Sequence, residues 1–312
     1  MSQIAQVDET AAIYFEAPGQ PRTRRAARAL RFWARRPAVV VAIAFAAILV
    51  FVAIFAPQLA THDPISTDPA ARLESPSSAH LFGTDAVGHD TFSNIVYGAR
   101  VSLLVGVLAT VFGTILGCLI GLVSGYFRGA LDGLIQRIMD GILSIPALIL
   151  LLMFGALAGR GLWVVVLGLS IIIAPLAGRV MRSAVLSERE NMYIEAARAV
   201  GATDLRVMSL HILPNVMPVI IVLSSITVGS AMLLEGALSF LGQGIQPNDP
   251  TWKTSWGAML DPANIAYTEQ QPWLAFFPGA SLALAVLAFN MLGDFLRDVL
   301  DPHLRGLFGE KQ

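Results

Sequence analysis

Residues 38–56 read Ala-Val-Val-Val-Ala-Ile-Ala-Phe-Ala-Ala-Ile-Leu-Val-Phe-Val-Ala-Ile-Phe-Ala, nineteen positions without one polar side chain. The hydrocarbon core of a bilayer takes about 20 such residues as a helix, because lipid offers no partner to an unpaired backbone group. Five further stretches read the same way: Val101–Val123, Met139–Leu157, Leu162–Ala177, Val216–Leu241 and Trp273–Leu292. The fourth span is the shortest, and extending it to Val180 takes in Arg179, which can snorkel to the interface. The expected fold is all-α and integral to a membrane, with six transmembrane helices.

Composition agrees. Of 312 residues, 55% are hydrophobic and 14% are charged, against about 25% charged in an ordinary soluble domain. Mean hydropathy is +0.66. The net charge of −1 argues against nucleic acid as a main partner. The single cysteine, Cys118, excludes an intrachain disulfide and reads as a small packing residue. The only lysines are Lys253 and Lys311, and neither belongs to a G-x-x-x-x-G-K phosphate loop, so this chain has no P-loop for ATP. No nucleophile–base pattern appears, and no catalytic residue is expected.

Arginine placement sets the expected orientation. Residues 1–37 form a tail with Arg22, Arg24, Arg25, Arg28, Arg31, Arg35 and Arg36, which belongs in the cytoplasm against anionic lipid. Residues 38–56 then cross as the first helix. Residues 57–100 form an outer loop, with Asp63, Asp68, Glu74, Asp85 and Asp90 against Arg72 and Arg100. Residues 101–292 form the core, and residues 181–214 within it lie inside with Arg182, Arg189, Arg198 and Arg206. Residues 293–312 form a cytoplasmic tail. Both termini are therefore expected inside.

The inner loop is compact and polar between two apolar spans. Ser187 reads as a helix cap ahead of Glu188 and Glu190, and Gly201 sits where a left-handed residue closes the helix. Thr203 reads as the cap of a second short helix through Leu210, and Pro214 as the opening of the fifth span. The alanines at 196, 197, 199 and 202 make the turn slender enough to enter a cleft on a partner.

Several separated motifs stand in one order along the chain: Phe82-Gly83-Thr84-Asp85 with Gly88-His89-Asp90; Tyr97-Gly98-Ala99-Arg100-Val101-Ser102-Leu103; Gly125-Tyr126-Phe127; Ser144-Ile145-Pro146; and Glu195-Ala196-Ala197 with Gly201 and Leu213-Pro214. Further on come the run Glu235-Gly236-Ala237-Leu238-Ser239-Phe240-Leu241-Gly242, and Asn290-Met291-Leu292-Gly293-Asp294-Phe295-Leu296-Arg297-Asp298 with Leu300-Asp301-Pro302. In these motifs, over roughly residues 30–306, the sequence resembles the C-type permease of the dipeptide/oligopeptide/nickel ABC importers. Three positions depart from the pattern: His89 stands for the usual arginine, His211 for isoleucine, and Asn248–Ser255 is longer than usual.

The resemblance implies a five-helix permease core with one added N-terminal helix, forming half of a translocation pore in a bacterial inner membrane. It implies a homologous B-type permease, two ATP-binding subunits and an extracytoplasmic substrate-binding protein as partners. It also implies that ATP and Mg sit on the partner subunits and that this chain binds no cofactor. Glu195, Ala196, Ala197, Gly201, Leu213 and Pro214 are then the ATPase-coupling residues. The implied cargo is di- or oligopeptides, with nickel chelates, glutathione or another small solute as alternatives. A proton-coupled secondary transporter using Glu235 and Asp140 is the reading from another class.

Three further features invite assignment. Gly113, Gly117, Gly121 and Gly125 fall four apart and make a small-residue packing ridge on the second span. Glu235 lies deep in an apolar span, costly unless it faces protein or water, and with Ser239 is a candidate for the translocation path or for a paired structural group. His62, His80 and His89 share the outer loop with aspartates, but their spacing fits no compact ligand motif, and no metal site is expected.

Overall fold

The structure, a computed structural model, describes residues 37–245, 252 and 254–300. The arginines of the N-terminal tail, most of Asn248–Ser255 and residues 301–312 lie outside the described residues. Eight principal helices run α1 Pro37–Ile54, α2 Thr91–Phe127, α3 Gly129–Leu143, α4 Ala147–Ala158, α5 Leu162–Glu188, α6 Met192–Ala199, α7 Leu213–Phe240 and α8 Trp273–Leu300. Among the described residues there is no strand, only an isolated bridge between Thr84 and Asp90.

Four helices are long and apolar enough to cross a bilayer: α2, α5, α8 and a continuous helix from Asp204 to the end of α7. The pair α3–α4 makes a fifth crossing if its two halves are taken together. α1 is shorter, apolar over Val39–Ile54. Against the six spans expected, four or five meet this length and composition among the described residues, and α1 stands beside them as a shorter apolar helix.

The third span is not one straight helix. α3 and α4 meet at 85° across Ser144-Ile145-Pro146. Proline has no N–H for the ladder and pushes the residue before it out of the helical region. A bend is the consequence, and Pro146 becomes the residue from which α4 starts.

α2 begins ten residues before Val101, so Thr91–Arg100, expected in the outer loop, belong to the helix. Asp90 accounts for this, since its carboxylate accepts from Ser93 N at 2.8 Å and caps the first turn. The early turns also bury Val96 and Ala99. At its other end α2 stops at Arg128, which takes a positive φ of 57°.

α5 runs on past the expected span to Glu188, which overturns the reading of Ser187 as a cap. The extension buries Met181 and Val185, both fully, against the loop that follows. The second short helix is likewise corrected. Thr203 does accept from Arg206 N, but only Asp204–Arg206 is α-helical. A π-turn over Val207–Ile212 then leads straight into α7, so Pro214 lies near the start of α7 within one 37-residue helix.

The bundle is organised around α2 and α5. Glycines at 113, 117, 121 and 125 all face α5. A methyl at Gly113 would lie 2.7 Å from Ile173 Cβ, one at Gly121 2.8 Å from Met181 Cβ, and one at Gly125 2.9 Å from the Arg182 carbonyl. Contacts advance in the same sense along both chains, so the two helices are parallel. The bent pair α3–α4 supplies the return between them. α7 packs on the other side of α2, where Gly106 faces Met232. α8 lies on α7, with Gly229 against Val286.

Two ends result. At one end, residues 57–90 and the turn Trp256–Met259 cap the start of α2. At the other, α6 lies across the ends of α2 and α5.

Gly121→Leu is expected to force α2 and α5 apart, because the atoms it would strike include backbone that cannot yield. Overpacking costs about 1–3 kcal/mol in a closely packed interior. A fall in the melting temperature of purified protein is the outcome, and an unchanged melting temperature would show that the ridge tolerates separation.

Candidate functional site

α6 is held by one buried residue and a cluster of charges. Ile194 is fully buried among Tyr126, Met181, Val185, Val207 and Ile212. Tyr126 is the post on which the loop hangs. Its hydroxyl donates to Asp204, and its carbonyl accepts from Arg189 Nη1. The guanidinium carbons of Arg198 and Arg189 lie 5.1 and 5.8 Å from its ring centroid, a geometry in which cation and ring quadrupole attract. Burial first, then the nearby Arg128 and Arg198 charges, lower the pKa of Arg189. Arg128 in turn pairs with Glu190 at 2.7 Å, and Arg182 grips Asp132 through two bonds of 2.7 and 2.6 Å.

The end of α6 is a Schellman closure. Ala202 N donates to the Ala197 carbonyl at 3.1 Å and Gly201 N to that of Arg198 at 2.9 Å. Gly201 has φ of 87°, the left-handed region expected for it. No atom lies within 4 Å of where its Cβ would be, so its glycine is required by backbone conformation and not by crowding.

The outward side of this loop is unusual for a charged segment. Met192, Val200, Leu205 and Leu210 are exposed at 84, 85, 73 and 61%. Glu195 and Ala196 are exposed beside them, and Ala197 is half-buried. Glu195 forms no ion pair among the described residues. Leu213 is half-buried and Pro214 exposed. Asn215 Nδ2 donates to Glu188 at 3.0 Å and to the Tyr193 hydroxyl at 2.7 Å, which fixes this end of α7 to the loop.

Toward the opposite end lies Glu235, fully buried. Ser239 Oγ and Ser255 Oγ donate to its Oε1 at 2.7 and 2.6 Å. Its Oε2 has no hydrogen-bond partner among the described residues. Ser255 Oγ also accepts from Ala258 N at 3.1 Å and so caps the turn Trp256–Met259. Trp256 closes the assembly, its N–H donating to Ser102 Oγ at 3.2 Å and its indole to the Ile95 carbonyl at 2.9 Å. One carboxyl group thus joins α7, the turn and, through Trp256, α2.

The cap over α2 has its own network. Thr84 Oγ1 donates to the Ala71 carbonyl and accepts from Glu74 N at 2.8 Å. Asp85 accepts from Val87 N, His89 N and His89 Nδ1 at 2.9, 2.9 and 2.8 Å. Asp90 is buried and accepts from Ser93 Oγ at 2.7 Å and contacts His80 Nδ1 at 3.0 Å. Burial pushes the Asp90 carboxyl up, but bonds from Ser93 and His80 and the charge of His62 outweigh it, and the net pKa is lowered.

Comparison with known proteins identifies the architecture. Residues 113–306 match the family described as the inner membrane component of binding-protein-dependent transport systems. Residues 25–76 match the N-terminal transmembrane domain of oligopeptide transport permease C. The dipeptide transport system permease protein DppC of Alkalihalophilus pseudofirmus is 41% identical over 82% of this chain and 83% of its own. This chain is a C-type permease of the peptide ABC importer family. The protein of the same name from Escherichia coli K12 is 44% identical over 88% of this chain and 92% of its own. A glutathione transport system permease, GsiD of Shigella dysenteriae, is 39% identical over 88% and 90%. Among solved structures, an inward-facing methionine ABC transporter, MetNI, aligns over 67% of this chain and 97% of its own with a TM-score of 0.55 at 20% identity, which speaks to the fold alone.

The permease is a multi-pass inner membrane protein and one component of a transport complex. Membership in this family replaces the proton-coupled reading. The structure gathers Glu195, Ala196, Ala197 and Gly201 on one exposed turn, with Leu213 and Pro214 at the adjoining start of α7. Gly113, Gly117, Gly121 and Gly125 form a ridge, as expected, spent on α5 of the same chain. Glu235 and Ser239, read as candidates for the translocation path or a paired structural group, are buried within this chain at 0 and 4% exposure. Among the described residues, the groups paired with Glu235 are the two hydroxyls of Ser239 and Ser255. Asp140 pairs with Arg179. Sequence reasoning missed Tyr126 as the anchor of the loop, Ser255 as a partner of the carboxyl and Trp256 as the link from that turn to Ser102 of α2; these join residues 78, 20 and 154 positions apart, beyond any local spacing rule.

Ser255→Ala removes a helix cap, worth about 0.5–2 kcal/mol, and a donor to a buried carboxyl, worth about 1–3 kcal/mol. Thermal unfolding of the purified permease is expected to report a loss in the sum of these ranges, and an unshifted transition would show that the carboxyl needs no donor there.

The cap should also respond to pH. A carboxyl with a lowered folded pKa stabilises above its unfolded value, near 3.9, and the contribution is lost as pH falls through the folded one. Proteolytic resistance of residues 57–90 is therefore expected to hold at neutral pH and decline below about pH 4 in wild type, whereas Asp90→Asn should show no such step.

Proposed function

We propose that this permease forms half of the pore of an ATP-driven importer of di- or oligopeptides. In this reading its mate is a homologous B-type permease. Two ATP-binding subunits carry the ATP and Mg, and an extracytoplasmic binding protein delivers cargo. Both termini and the α6 loop face the cytoplasm, and the cap of residues 57–90 faces outward. The chain itself supplies no catalytic residue.

The observation that carries the reading is the loop of α6. Exposed Met192, Val200, Leu205 and Leu210 surround exposed Glu195 on a short, rigidly anchored helix. Apolar groups clustered on a charged loop leave water only when another protein covers them. Ile194 and Tyr126 fix the helix to α2 and α5, so a partner that moves α6 moves the bundle with it. We assign Glu195, Ala196, Ala197 and Gly201 to this contact, with Leu213 and Pro214 at its junction to α7.

Peptide cargo is supported by the names of the relatives, dipeptide permeases among them. Similarity to the glutathione permease favours a second candidate, itself a small peptide-like solute. Glu235 and Ser239 act on the path indirectly in this reading, by holding the turn Trp256–Met259 against α7.

Two variants test the coupling surface. Glu195→Arg should release ATP-binding subunits in a pull-down at moderate salt, since disrupting a buried interfacial charge costs about 2–5 kcal/mol; full retention would remove Glu195 from the contact. Gly201→Val places a β-branched side chain at positive φ, which costs about 1–3 kcal/mol. Reconstituted complex should then lose uptake relative to ATP hydrolysis, and wild-type uptake would contradict the assignment.

A further inference from the structure

The fold brings together three groups that the sequence keeps apart. His62 follows the end of α1, His80 lies in the cap, and Asp90 stands at the start of α2. His80 Nδ1 is 3.0 Å from Asp90 Oδ1, and His62 Nδ1 is 3.8 Å from Asp90 Oδ2. One donor atom from each residue lies within 4.8 Å of the other two. The two imidazole rings are 4.8 Å apart, centroid to centroid. Both histidines turn the same nitrogen toward the same carboxylate.

We propose that His62, His80 and Asp90 form a binding site for a divalent transition metal of the zinc class. Two imidazole nitrogens and one carboxylate oxygen are a borderline donor set, suited to zinc, cobalt or nickel and unlike the all-oxygen shells of calcium or magnesium. Zinc bonds of about 2.0–2.2 Å hold ligand atoms roughly 3.3–3.6 Å apart in a tetrahedron. The histidine–carboxylate separations, 3.0 Å to Oδ1 and 3.8 Å to Oδ2, fall on either side of that range. The widest separation has to close by roughly 1 Å for such a tetrahedron, and His62, whose side chain is 42% exposed, is free to supply the movement.

The surroundings are built to hold these ligands. Asp90 is 1% exposed in its side chain, and among the described residues no lysine or arginine pairs with it. Ser93 Oγ bonds its Oδ2 at 2.7 Å and also accepts from His62 N at 3.0 Å, so one hydroxyl positions two of the three ligands. Thr61 Oγ1 lies 3.3 Å from Asp90 Oδ2 and helps to orient that carboxylate, while its 3.0 Å contact with His62 Nδ1 is one that the metal would displace. Hydrogen bonds of this kind orient metal ligands and set their basicity. The exposed side of His62 leaves an entry path and a fourth position for water or for a group of a partner. On binding, the metal takes the place of any proton held between His80 Nδ1 and Asp90, and that proton goes to solvent. Its effect would be to tie α1, the cap and α2 into one piece.

Full-length permease carrying no polyhistidine tag, purified in detergent and stripped with chelator, is equilibrated with Zn(II) and desalted, and bound zinc is counted by mass spectrometry. About one zinc per chain is expected for wild type and for His211→Gln at the opposite end, with apparent affinity at least about tenfold weaker in His62→Gln and His80→Gln. Substitution with Co(II) should give the visible absorption of a tetrahedral site in wild type and not in either variant. His62→Gln carries the test if His80→Gln fails to fold, because the His62 side chain is 42% exposed against 15% for His80. Wild type that retains no zinc overturns the proposal, as does equal retention by wild type and His62→Gln.

Discussion

Backbone-to-backbone packing of α2 on α5 sets the geometry on which everything else rests. Bilayer lipid is as apolar as a leucine side chain, so association inside a membrane cannot rely on the hydrophobic effect. It relies on close approach, and the four glycines of α2 provide it along four turns facing Ile173, Ala174, Met181 and Val185. Because the two helices are parallel, their C-terminal ends arrive together. Tyr126 from one and Val185 and Arg189 from the other then form a single seat for Ile194 and the loop. The loop is stiff because its foundation is.

The same constraint explains why α3 and α4 bend. Two parallel neighbours need a return between them, and the return here is interrupted at Ser144-Ile145-Pro146. Asp132 on α3 reaches Arg182 on α5 with two hydrogen bonds, and Asp140 pairs with Arg179 one turn earlier. The two carboxylates of the returning segment are thus paired against α5. α4 then contributes Leu151, which packs with Leu162, Val166 and Leu169.

Much of this was legible from the amino acids. Apolar runs located the helices because a lipid-facing backbone has one local solution, and the spacing of Gly113, Gly117, Gly121 and Gly125 named a packing face. Gly201 was read correctly because a left-handed closure is a local matter. Helix ends were less legible. α5 outruns its apolar stretch because Met181 and Val185 are buried by a loop folded back on them, which no window along α5 reveals. Asp90 starts α2 early through a cap whose strength depends on Ser93, His80 and Thr61. Glu235 stood out in its span, yet its role depends on Ser255, twenty residues away in a separate turn. The histidines show the limit most plainly: a spacing that fits no local ligand motif becomes a cluster once α1 and α2 are side by side.

The continuity of the helix from Asp204 to Phe240 has a mechanical consequence. At about 1.5 Å per residue its 37 residues extend roughly 55 Å. One end lies beside α6 and the other carries Glu235 and, through Ser255, the turn Trp256–Met259. A rod of that length, gripped near its middle by α2, behaves as a balance beam. A tilt of a few degrees at the α6 end would swing the far end by roughly 1–2 Å in the opposite direction. The π-turn over Val207–Ile212 sits at the α6 end of that rod, the kind of local winding change that often marks a hinge.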